Sequence, residues 1–454
     1  MKLQLKSSKH PITYLLSFLA ISAALSLVTA ENQADIDGLI RHQIDSIDDG
    51  DGLEIADFDT DGKMDIVIAE SKDGQVSWYR QTDNLDSWTR HPVADGYVKI
   101  EGLEAFDVTG DGKTEVFILD QTPGHIDIAE QSGMDPAGAW ETGTLVSDAK
   151  FIQSALDMDV DQDGDLDLVY AFEGNEYGMG GIYWLEFLGG SVLDPAQWIS
   201  HEIAQINGGW WIVERPLDID GDGNATDIVF TARALRNPSA DPGIYCVTPE
   251  AGVRNQWKIT IIEDGSDYSP LHVTAGNFTG GSTDNDLAAA AMDNGAGVYI
   301  YNSSDGFSRS CLRSDGQWHN VQGADLDGSG RDEIILVDKE FWWGHRMWLY
   351  QYDPTESTFD TDQEGAYRRK WSDFYWKADD RIIPYDITGN GYKELITVSA
   401  NGDSLDWWEV ALEDSLCESL ILPRWWFTAA VILVVIVLGL FSVTIYLTVR
   451  RRHA

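Results

Sequence analysis

The sequence has 454 residues, with 76 acidic and 31 basic side chains and a formal net charge of −45. Because so negative a body repels polyanions, the composition excludes a protein that binds nucleic acid by neutralising its phosphates. With 43% hydrophobic residues and 18 Trp, the chain also differs from the acidic chains that stay disordered, so a folded core is expected.

Residues 1–30 predict a secretory signal peptide. They hold three Lys and no acid, and an apolar run from about Ile12 to Val28 leads into the small-residue motif that ends at Ala30. A basic start, an apolar run and a small-residue cleavage site are the features of such a segment. An uncleaved signal anchor is the alternative. We therefore expect residues 31–422 to form an exported body.

This body is organised by a sevenfold repeat. Each unit holds an Asp-rich loop between two β-rich runs, followed by an aromatic run and by a fourth run that often begins with Trp. Four strands per unit, repeated seven times, predict an all-β, seven-bladed β-propeller over about residues 36–415. The loops, numbered 1 to 7 in chain order, begin at Asp57, Asp107, Asp159, Asp218, Asn277, Asp325 and Asp386.

The seventh unit runs out of chain before a fourth strand. Residues 39–44 resemble the fourth-strand segments 88–93 and 198–203. We therefore expect the N-terminal strand to pair with the last blade and close the ring, which leaves only short, protected sheet edges. His42, His91 and His201 recur at one position of these segments, which favours a structural role for them over a catalytic one.

Loops 1 and 3 carry the strongest cation-binding pattern. Acidic residues occupy their first, third, fifth and ninth positions, and a Gly that permits a positive φ follows the fifth. Alternate residues of a tight turn point oxygens inward, and a hard cation takes six or more oxygen ligands, so we expect structural calcium ions. The predicted ligands are Asp57, Asp59, Asp61, the Lys63 carbonyl and Asp65 in loop 1, and Asp159, Asp161, Asp163 and Asp167 in loop 3.

The other loops depart from this pattern. Loops 2 and 6 are weaker sites, and loop 4 has one extra residue before its last Asp. Loop 7 is marginal, loop 5 is expected to hold no ion, and a turn without an ion is the alternative for any single loop. The predicted ligands are Asp107, Thr109, Asp111 and Glu115 in loop 2, Asp218, Asp220, Asp222 and Asp227 in loop 4, and Asp325, Asp327, Ser329 and Glu333 in loop 6.

The spacing also matches the first half of an EF-hand, but an EF-hand needs a bidentate Glu at position 12. Ile68, Ile118 and Tyr170 stand there in the first three loops, which excludes EF-hands. The loops, each followed by an apolar β-rich run, instead resemble integrin-like FG-GAP or VCBS repeats. This resemblance implies a seven-bladed propeller with calcium between the first and second strands. The Phe-Gly and Gly-Ala-Pro elements of integrins are absent from the sequence, which favours the broader microbial repeat group.

The longest connections are expected on the face opposite the Asp loops. Loops on a rigid scaffold commonly carry function. Their Trp residues would stack on sugar rings and their basic residues would meet carboxylates or sulfates of an acidic glycan. Packing of the Trp residues between blades is the alternative. The candidate ligand-binding residues are Trp210, Trp211, Arg233, Arg236, Trp342, Trp343, His345 and Arg346.

Residues 425–449 predict one transmembrane helix. The segment has no charged residue, and a helix of that length spans a hydrocarbon core of roughly 30 Å. Residues 450–454, with three Arg, would form a short cytoplasmic tail, which makes the chain a single-pass type I membrane protein with its body extracytoplasmic, at the cell surface or in the periplasm. A hydrophobic sorting signal that is removed is the alternative.

These features predict a membrane-anchored, calcium-stabilised propeller that binds a glycan or a protein and has no chemistry of its own. The sequence contains no Gly-x-Ser-x-Gly, His-Glu-x-x-His or Cys-x-x-Cys motif. A polysaccharide-active lyase or dehydratase is one alternative, by analogy of fold. It would require a His, Tyr or Lys base beside an Arg in a central pocket on the loop face. A scaffold subunit of an envelope complex is the other alternative.

Overall fold

A computed structural model of the chain describes twelve segments of the sequence. These are residues 36–133, 137–174, 180–233, 241–250, 256–265, 268–280, 284–292, 296–338, 345–352, 367–375, 379–399 and 404–412. The predicted signal peptide, transmembrane helix and cytoplasmic tail lie outside these segments. Within them, we find no helix with the length and apolar character needed to cross a bilayer. The chain divides into two units, residues 1–411 and 412–454, and the described segments belong to the first apart from Leu412.

The described segments are almost entirely β-structure. Their two helices are short 3-10 turns, Pro195–Gln197 and Ser303–Asp305. The strands are β1 (Ile36–Asp45), β2 (Gly50–Ala56), β3 (Asp65–Glu70), β4 (Gln75–Arg80), β5 (Thr89–Asp95), β6 (Ile100–Phe106), β7 (Glu115–Asp120), β8 (His125–Gln131), β9 (Trp140–Val146), β10 (Ile152–Met158), β11 (Asp167–Phe172), β12 (Gly181–Phe187), β13 (Trp198–Ala204), β14 (Gly209–Ile212), β15 (Ile228–Ala232), β16 (Gly243–Pro249), β17 (Trp257–Asp264), β18 (His272–Gly276), β19 (Asp286–Ala291), β20 (Gly297–Asn302), β21 (Ser308–Arg313), β22 (Trp318–Ala324), β23 (Glu333–Asp338), β24 (His345–Tyr352), β25 (Tyr367–Tyr375), β26 (Asp379–Tyr385), β27 (Glu394–Ser399) and β28 (Leu405–Leu412).

The strands form seven four-stranded sheets, each built mainly from strands that follow one another in the sequence. The sheets are β2-β3-β4-β5, β6-β7-β8-β9, β10-β11-β12-β13, β14-β15-β16-β17, β18-β19-β20-β21, β22-β23-β24-β25 and β1-β28-β27-β26. This confirms the predicted seven-bladed propeller. We number blades 1 to 7 in the same order as the loops, and each Asp loop joins the first strand of its blade to the second.

The N-terminal strand closes the ring as predicted, because β1 is the outermost strand of blade 7 beside β28. Arg41 of β1 forms an ion pair of 2.9 Å with the fully buried Asp406 of β28. His42 stacks on Trp407 with the ring centroids 4.0 Å apart. His91 and His201 stack in the same way, on Trp78 and Trp184. The recurrent His therefore has a structural role within the blades.

The core lies within and between the blades. All residues of the second strands β3, β7, β11, β15, β19, β23 and β27 are buried. A second strand has a neighbour on each side, and adjacent blades cover its two faces. Trp78 of blade 1 thus packs in one cluster with Val116 and Ile118 of blade 2. Such burial explains why these strands are continuous apolar runs in the sequence.

Candidate functional site

The Asp loops share one hydrogen-bonding scheme. In six of the seven, the last carboxylate accepts the backbone N–H of the loop's second residue, as Asp167 does from Val160 at 3.0 Å, and in loop 5 Asp286 accepts that of the third residue, Thr279. In six, the first Asp accepts the N–H of a Gly five residues later, and each of these Gly residues has a positive φ. The sequence pattern thus fixes a turn that holds acidic side chains close together.

Four loops bring three carboxylates within cation-binding distance. In each cluster, one oxygen from every member lies within 4.8 Å of the others. Calcium binds carboxylate oxygens in flexible geometries with six to eight ligands, so each cluster could supply part of such a set. The clusters are Asp57, Asp59 and Asp61 in loop 1, Asp159, Asp161 and Asp167 in loop 3, Asp218, Asp220 and Asp227 in loop 4, and Asp325, Asp327 and Glu333 in loop 6.

The chemistry of these clusters fits a cation. Asp218 Oδ1, Asp325 Oδ1 and Glu333 Oε1 are buried and accept no hydrogen bond from the described part of the chain. A buried charged oxygen without a partner is unfavourable, and a hard cation supplies that partner. Burial, with a smaller contribution from the neighbouring carboxylates, raises the pKa of Asp167 to about 8 even though the N–H of Val160 lowers it. Burial and the charge of Asp327 also raise the pKa of Glu333.

Loop 1 differs from the other clusters because a basic side chain reaches it. Arg80 Nε lies 2.5 Å from Asp59 Oδ2, and Arg80 Nη2 lies 3.8 Å from Asp61 Oδ2. Lys63, whose carbonyl was predicted as a ligand, directs its Nζ to Asp83 at 2.7 Å. A cation in loop 1 would therefore share its carboxylates with Arg80.

Loops 5 and 7 satisfy their acids with hydrogen bonds from hydroxyl and amide groups. Asp286 accepts both the N–H and the hydroxyl of Thr279, and it also accepts those of Ser303. Glu394 accepts the Thr388 hydroxyl at 3.0 Å and the Asn390 amide at 3.1 Å. These donors already use carboxylate oxygens of Asp286 and Glu394. The sequence pattern for a metal ion is also weakest in these two loops.

The remaining predicted ligands lie outside the four clusters and stay predictions. Several fifth-position side chains accept the N–H two residues later, as Asp163 does from Asp165. This turn contact uses one oxygen and leaves the second available. The ligands concerned are the Lys63 carbonyl, Asp65, Asp107, Thr109, Asp111, Glu115, Asp163, Asp222 and Ser329.

A channel runs between the first strands of the blades, and Arg381 of β26 spans it. Its Nε donates to the carbonyl of Asp51 at 3.0 Å, and its Nη2 donates to the carbonyls of Glu101 and, at 2.8 Å, of Gln153. Its guanidinium carbon also lies 4.2 Å from the ring centroid of Trp211. One arginine of blade 7 thus contacts blades 1, 2, 3 and 4.

Arg381, Gln153 and Trp211 separate two cavities. The acidic cavity, of about 400 Å³, lies toward the Asp loops and is lined by Glu54 and Glu104 among others. Burial raises the pKa of Glu54 to about 8, although Arg381 lowers it. Burial and the charge of Glu54 together raise the pKa of Glu104 well above its ordinary value. Arg381 lines both cavities, so its side chain lies between the acidic cavity and the other end of the channel.

The second cavity, which we call the mouth cavity, has a volume of about 300 Å³. Its lining residues lie near the starts of the first strands, about six residues before the Asp loops. Six residues of extended chain span roughly 20 Å, so this cavity opens on the face opposite the loops. Trp211 stacks on His272 with the ring centroids 3.9 Å apart, and the ring centroids of His272 and His319 are 5.4 Å apart. The residues that carry its chemistry are Lys99, Gln153, Trp210, Trp211, Arg233, His272, His319 and Arg381.

The structure brings together three of the eight candidate ligand-binding residues. Trp210, Trp211 and Arg233 line the mouth cavity, with the Arg233 guanidinium carbon 5.2 Å from the Trp210 ring centroid. Arg346 lies in β24 and its guanidinium carbon is 5.9 Å from the ring centroid of Trp348. His345 begins the same strand and only its backbone is described. Arg236, Trp342 and Trp343 lie outside the described residues.

Sequence reasoning missed the other members of the mouth cavity. Lys99, Gln153, His272, His319 and Arg381 come from five blades and belong to no shared motif. Each stands five to eight residues before the first residue of its Asp loop, in or beside a first strand. Their common position relative to the seven loops was the available signal, because it places all of them at one end of the channel.

The comparisons with known proteins agree with this architecture. Residues 57–118 match the model of the FG-GAP-like repeat, which confirms the predicted resemblance. No curated protein sequence matches the chain.

The solved structures that match the chain include three proteins that share little sequence with it, each with a TM-score below 0.5. BBS1N in complex with ARL6DN is 14% identical over 82% of this chain and 95% of that chain, with a TM-score of 0.49. A luciferin-regenerating enzyme is 12% identical over 74% and 96%, with a TM-score of 0.40. Sqt1 of Saccharomyces cerevisiae is 11% identical over 83% and 99%, with a TM-score of 0.45.

Proposed function

We propose that this chain, a seven-bladed propeller with an FG-GAP-like repeat, is an exported binding protein anchored in a membrane by residues 425–449. The fold is consistent with a ligand-binding or scaffold role. The sequence features of residues 1–30 and 425–454 support export and anchoring. In this proposal, the body faces the outside of the cell and carries all of the function.

Calcium is the proposed structural cofactor. The four clusters, the buried oxygens of Asp218, Asp325 and Glu333 and the raised pKa of Asp167 all support a cation at the loops. Bound ions would hold the first and second strands of a blade together at the loop. Because the loops are opposite the mouth cavity, this role is structural and separate from ligand binding.

The proposed ligand is a glycan or a protein, bound at the mouth cavity. The observation that carries this proposal is the convergence of polar, cationic and aromatic side chains from six blades on one concave site of about 300 Å³. Binding pockets typically combine such a concave shape with a few convergent polar groups. Besides Arg381, whose donors serve carbonyls of three blades, the lining holds Lys99 and Arg233 in a protein whose net charge is −45.

The full chain, purified in detergent with calcium, can be tested on a glycan array and by pull-down of surface proteins. We expect binding that is reduced by Arg233→Gln and unaffected by Arg309→Gln, a matched change on the outer strand of blade 5. Absence of binding to glycans and proteins alike would contradict the proposal. Membrane anchoring has its own test, in which membranes are washed with alkaline carbonate. The full chain should stay in the membrane fraction, and deletion of residues 425–449 should release it.

A polysaccharide lyase is the second candidate, and one observation favours it. His272 and His319 line the same cavity as Arg381, so a potential base lies beside a potential partner for a substrate carboxylate. In such a reaction, a His would take the proton next to the carboxylate while the neighbouring C–O bond breaks. Incubation with uronate polysaccharides should then produce the ultraviolet absorbance of an unsaturated sugar, and His319→Gln should abolish it.

A further inference from the structure

We propose that the mouth cavity binds a single carboxylate-bearing sugar, such as a hexuronate residue, and rejects polyanionic glycans. This inference rests on the proposed function, because it names the ligand class of the same site. Four observations support it: unpartnered donors, the charges of the lining, the size of the cavity and the charge of the whole protein.

Two buried donors point to a ligand with acceptor oxygens. Among the residues that the structure describes, Gln153 Nε2 and Trp210 Nε1 have no hydrogen-bond partner, and both residues are only 6% exposed. Both residues line the mouth cavity. A buried donor without a partner costs free energy, so a bound acceptor is favoured at both positions. Because an indole N–H can only donate, a ligand atom that contacts Trp210 Nε1 must be a hydrogen-bond acceptor.

The charged residues of the lining favour a carboxylate. Lys99, Arg233 and Arg381 face two acids, Asp51 and Glu101, and Lys99 forms an ion pair with Glu101. A planar guanidinium matches the two oxygens of a carboxylate, and such charge-assisted hydrogen bonds are about twice as strong as neutral ones. Cations thus outnumber acids here in a protein whose net charge is −45.

The neutral donors favour a sugar over an acidic peptide. Gln153, Gln121 and the Trp210 indole lie among the cations, and amide and indole donors suit hydroxyl oxygens. A cavity of about 300 Å³ is at the lower end of the range for small-molecule sites and suits one sugar ring rather than a folded segment. We therefore assign the cations to the carboxylate and the neutral donors to the hydroxyls.

The long-range field limits the ligand to one charge. At physiological salt the Debye length is about 8 Å, so a single carboxylate inside the cavity interacts mainly with the nearby cations. A polyuronate would place its other charges over the acidic surface, where they are repelled. The same net charge that excludes nucleic acid therefore selects against acidic polymers.

Calorimetric titration of the full chain in detergent with calcium tests this inference. The probes are D-glucuronate, D-glucose, N-acetyl-aspartate and polygalacturonate. We expect glucuronate to bind at least tenfold tighter than glucose, since one charge-assisted contact contributes about 1.5–3 kcal/mol. N-acetyl-aspartate and, per chain, polygalacturonate should bind more weakly than glucuronate.

Variants identify the site. Gln153→Met and Trp210→Phe keep the volume or the ring while each removes one donor, and each should weaken glucuronate binding severalfold. Arg233→Gln should reduce the preference for glucuronate over glucose, and Arg309→Gln should change neither affinity. If Arg233→Gln fails to fold, the two donor variants still test the assignment.

Three results would overturn the inference. These are equal affinity for glucose and glucuronate, tighter binding of N-acetyl-aspartate or polygalacturonate, and glucuronate binding that survives all three cavity variants. If none of the probes binds but the glycan array finds a neutral ligand, this inference fails and the proposed function stands. If the array and the pull-down also find nothing, both fail.

Discussion

Arg381 shows how one side chain can join distant parts of a ring. Its donors reach the carbonyls of Asp51, Glu101 and Gln153, which belong to three different blades. These carbonyls lie at the inner edges of their sheets, where no further strand can supply an N–H. A guanidinium has five donors in a fixed plane, so it can serve several such acceptors at once.

We expect Arg381→Met to destabilise the propeller. Hydrogen bonds to charged groups contribute about 1.5–3 kcal/mol each. The variant leaves three carbonyls without this donor, and water replaces some of the lost hydrogen bonds. We therefore expect the free energy of unfolding to fall by about 2–4 kcal/mol. Chemical unfolding of both proteins in calcium measures it. Arg309→Met is the control and should cost only about 1 kcal/mol, since Arg309 is partly exposed in its ion pair with Glu263 and also contacts the Tyr299 ring, 4.9 Å from the guanidinium carbon. Equal effects of the two changes would contradict the special role of Arg381.

At the scale of the element, the Asp loop combines a turn and a cation site. The last carboxylate accepts the N–H of the second residue in every loop except loop 5, and in loops 3, 4 and 6 it also belongs to an acidic cluster. The amino-acid pattern therefore both stabilises the turn and supplies carboxylates for a cation, and substitutions can test the two roles separately. Loop 5 still forms a turn, and the Thr279 and Ser303 hydroxyls donate to its last carboxylate, Asp286, in place of a cation.

A pair of substitutions at Asp167 separates these purposes. Asp167→Asn keeps an oxygen for the Val160 N–H and removes the charge, whereas Asp167→Ala removes both. Without calcium, the Asn variant should be at least as stable as the parent near pH 7, because the buried carboxylate is disfavoured there, and the Ala variant should be less stable by about 1–2 kcal/mol. Both should lose part of the calcium-induced rise in the unfolding midpoint. An Asn variant that responds to calcium fully would remove Asp167 from the proposed site.

The sequence predicted this element better than it predicted the cavity. The loops are local, so Asp159, Asp161 and Asp167 could be identified from spacing alone, and the apolar run after each loop marked the buried second strand. The mouth cavity depends on the closure of the ring, which places Lys99, Gln153 and Arg381 side by side although they are far apart in the chain. Trp210, Trp211 and Arg233 were found because they stand in two connections, residues 207–211 and 233–243, that were expected on the face opposite the Asp loops.

At the scale of the whole molecule, closure and charge act against each other. The ring is closed by β1 through the Arg41–Asp406 ion pair and the stacking of His42 on Trp407. A net charge of −45 opposes any compact state through self-repulsion. The clusters of loops 3, 4 and 6 hold buried acids at one face of the ring, so bound cations would reduce the repulsion there.

The pH dependence of stability should therefore reverse with calcium. Burial raises the pKa of Asp65 to about 7 and those of Glu115 and Asp167 to about 8. A carboxyl group whose folded pKa lies above its unfolded value binds more protons in the folded state, so its stabilising effect is lost as pH rises through the folded pKa. With a chelator, the thermal midpoint should fall between about pH 5 and pH 8.

With excess calcium, the midpoint should instead rise or stay level over the same range, because calcium binds the ionised carboxylates of the folded state and protons compete with it at low pH. Thermal unfolding at pH 5, 6, 7 and 8, with chelator and with calcium at matched ionic strength, provides the measurement. Sodium chloride at the same ionic strength is the control for general screening. Identical midpoints with calcium and with chelator at pH 8 would refute the structural ions. A chelated protein that gains stability toward pH 8 would show that the loop carboxylates are not held in the buried, cation-poor environment described above.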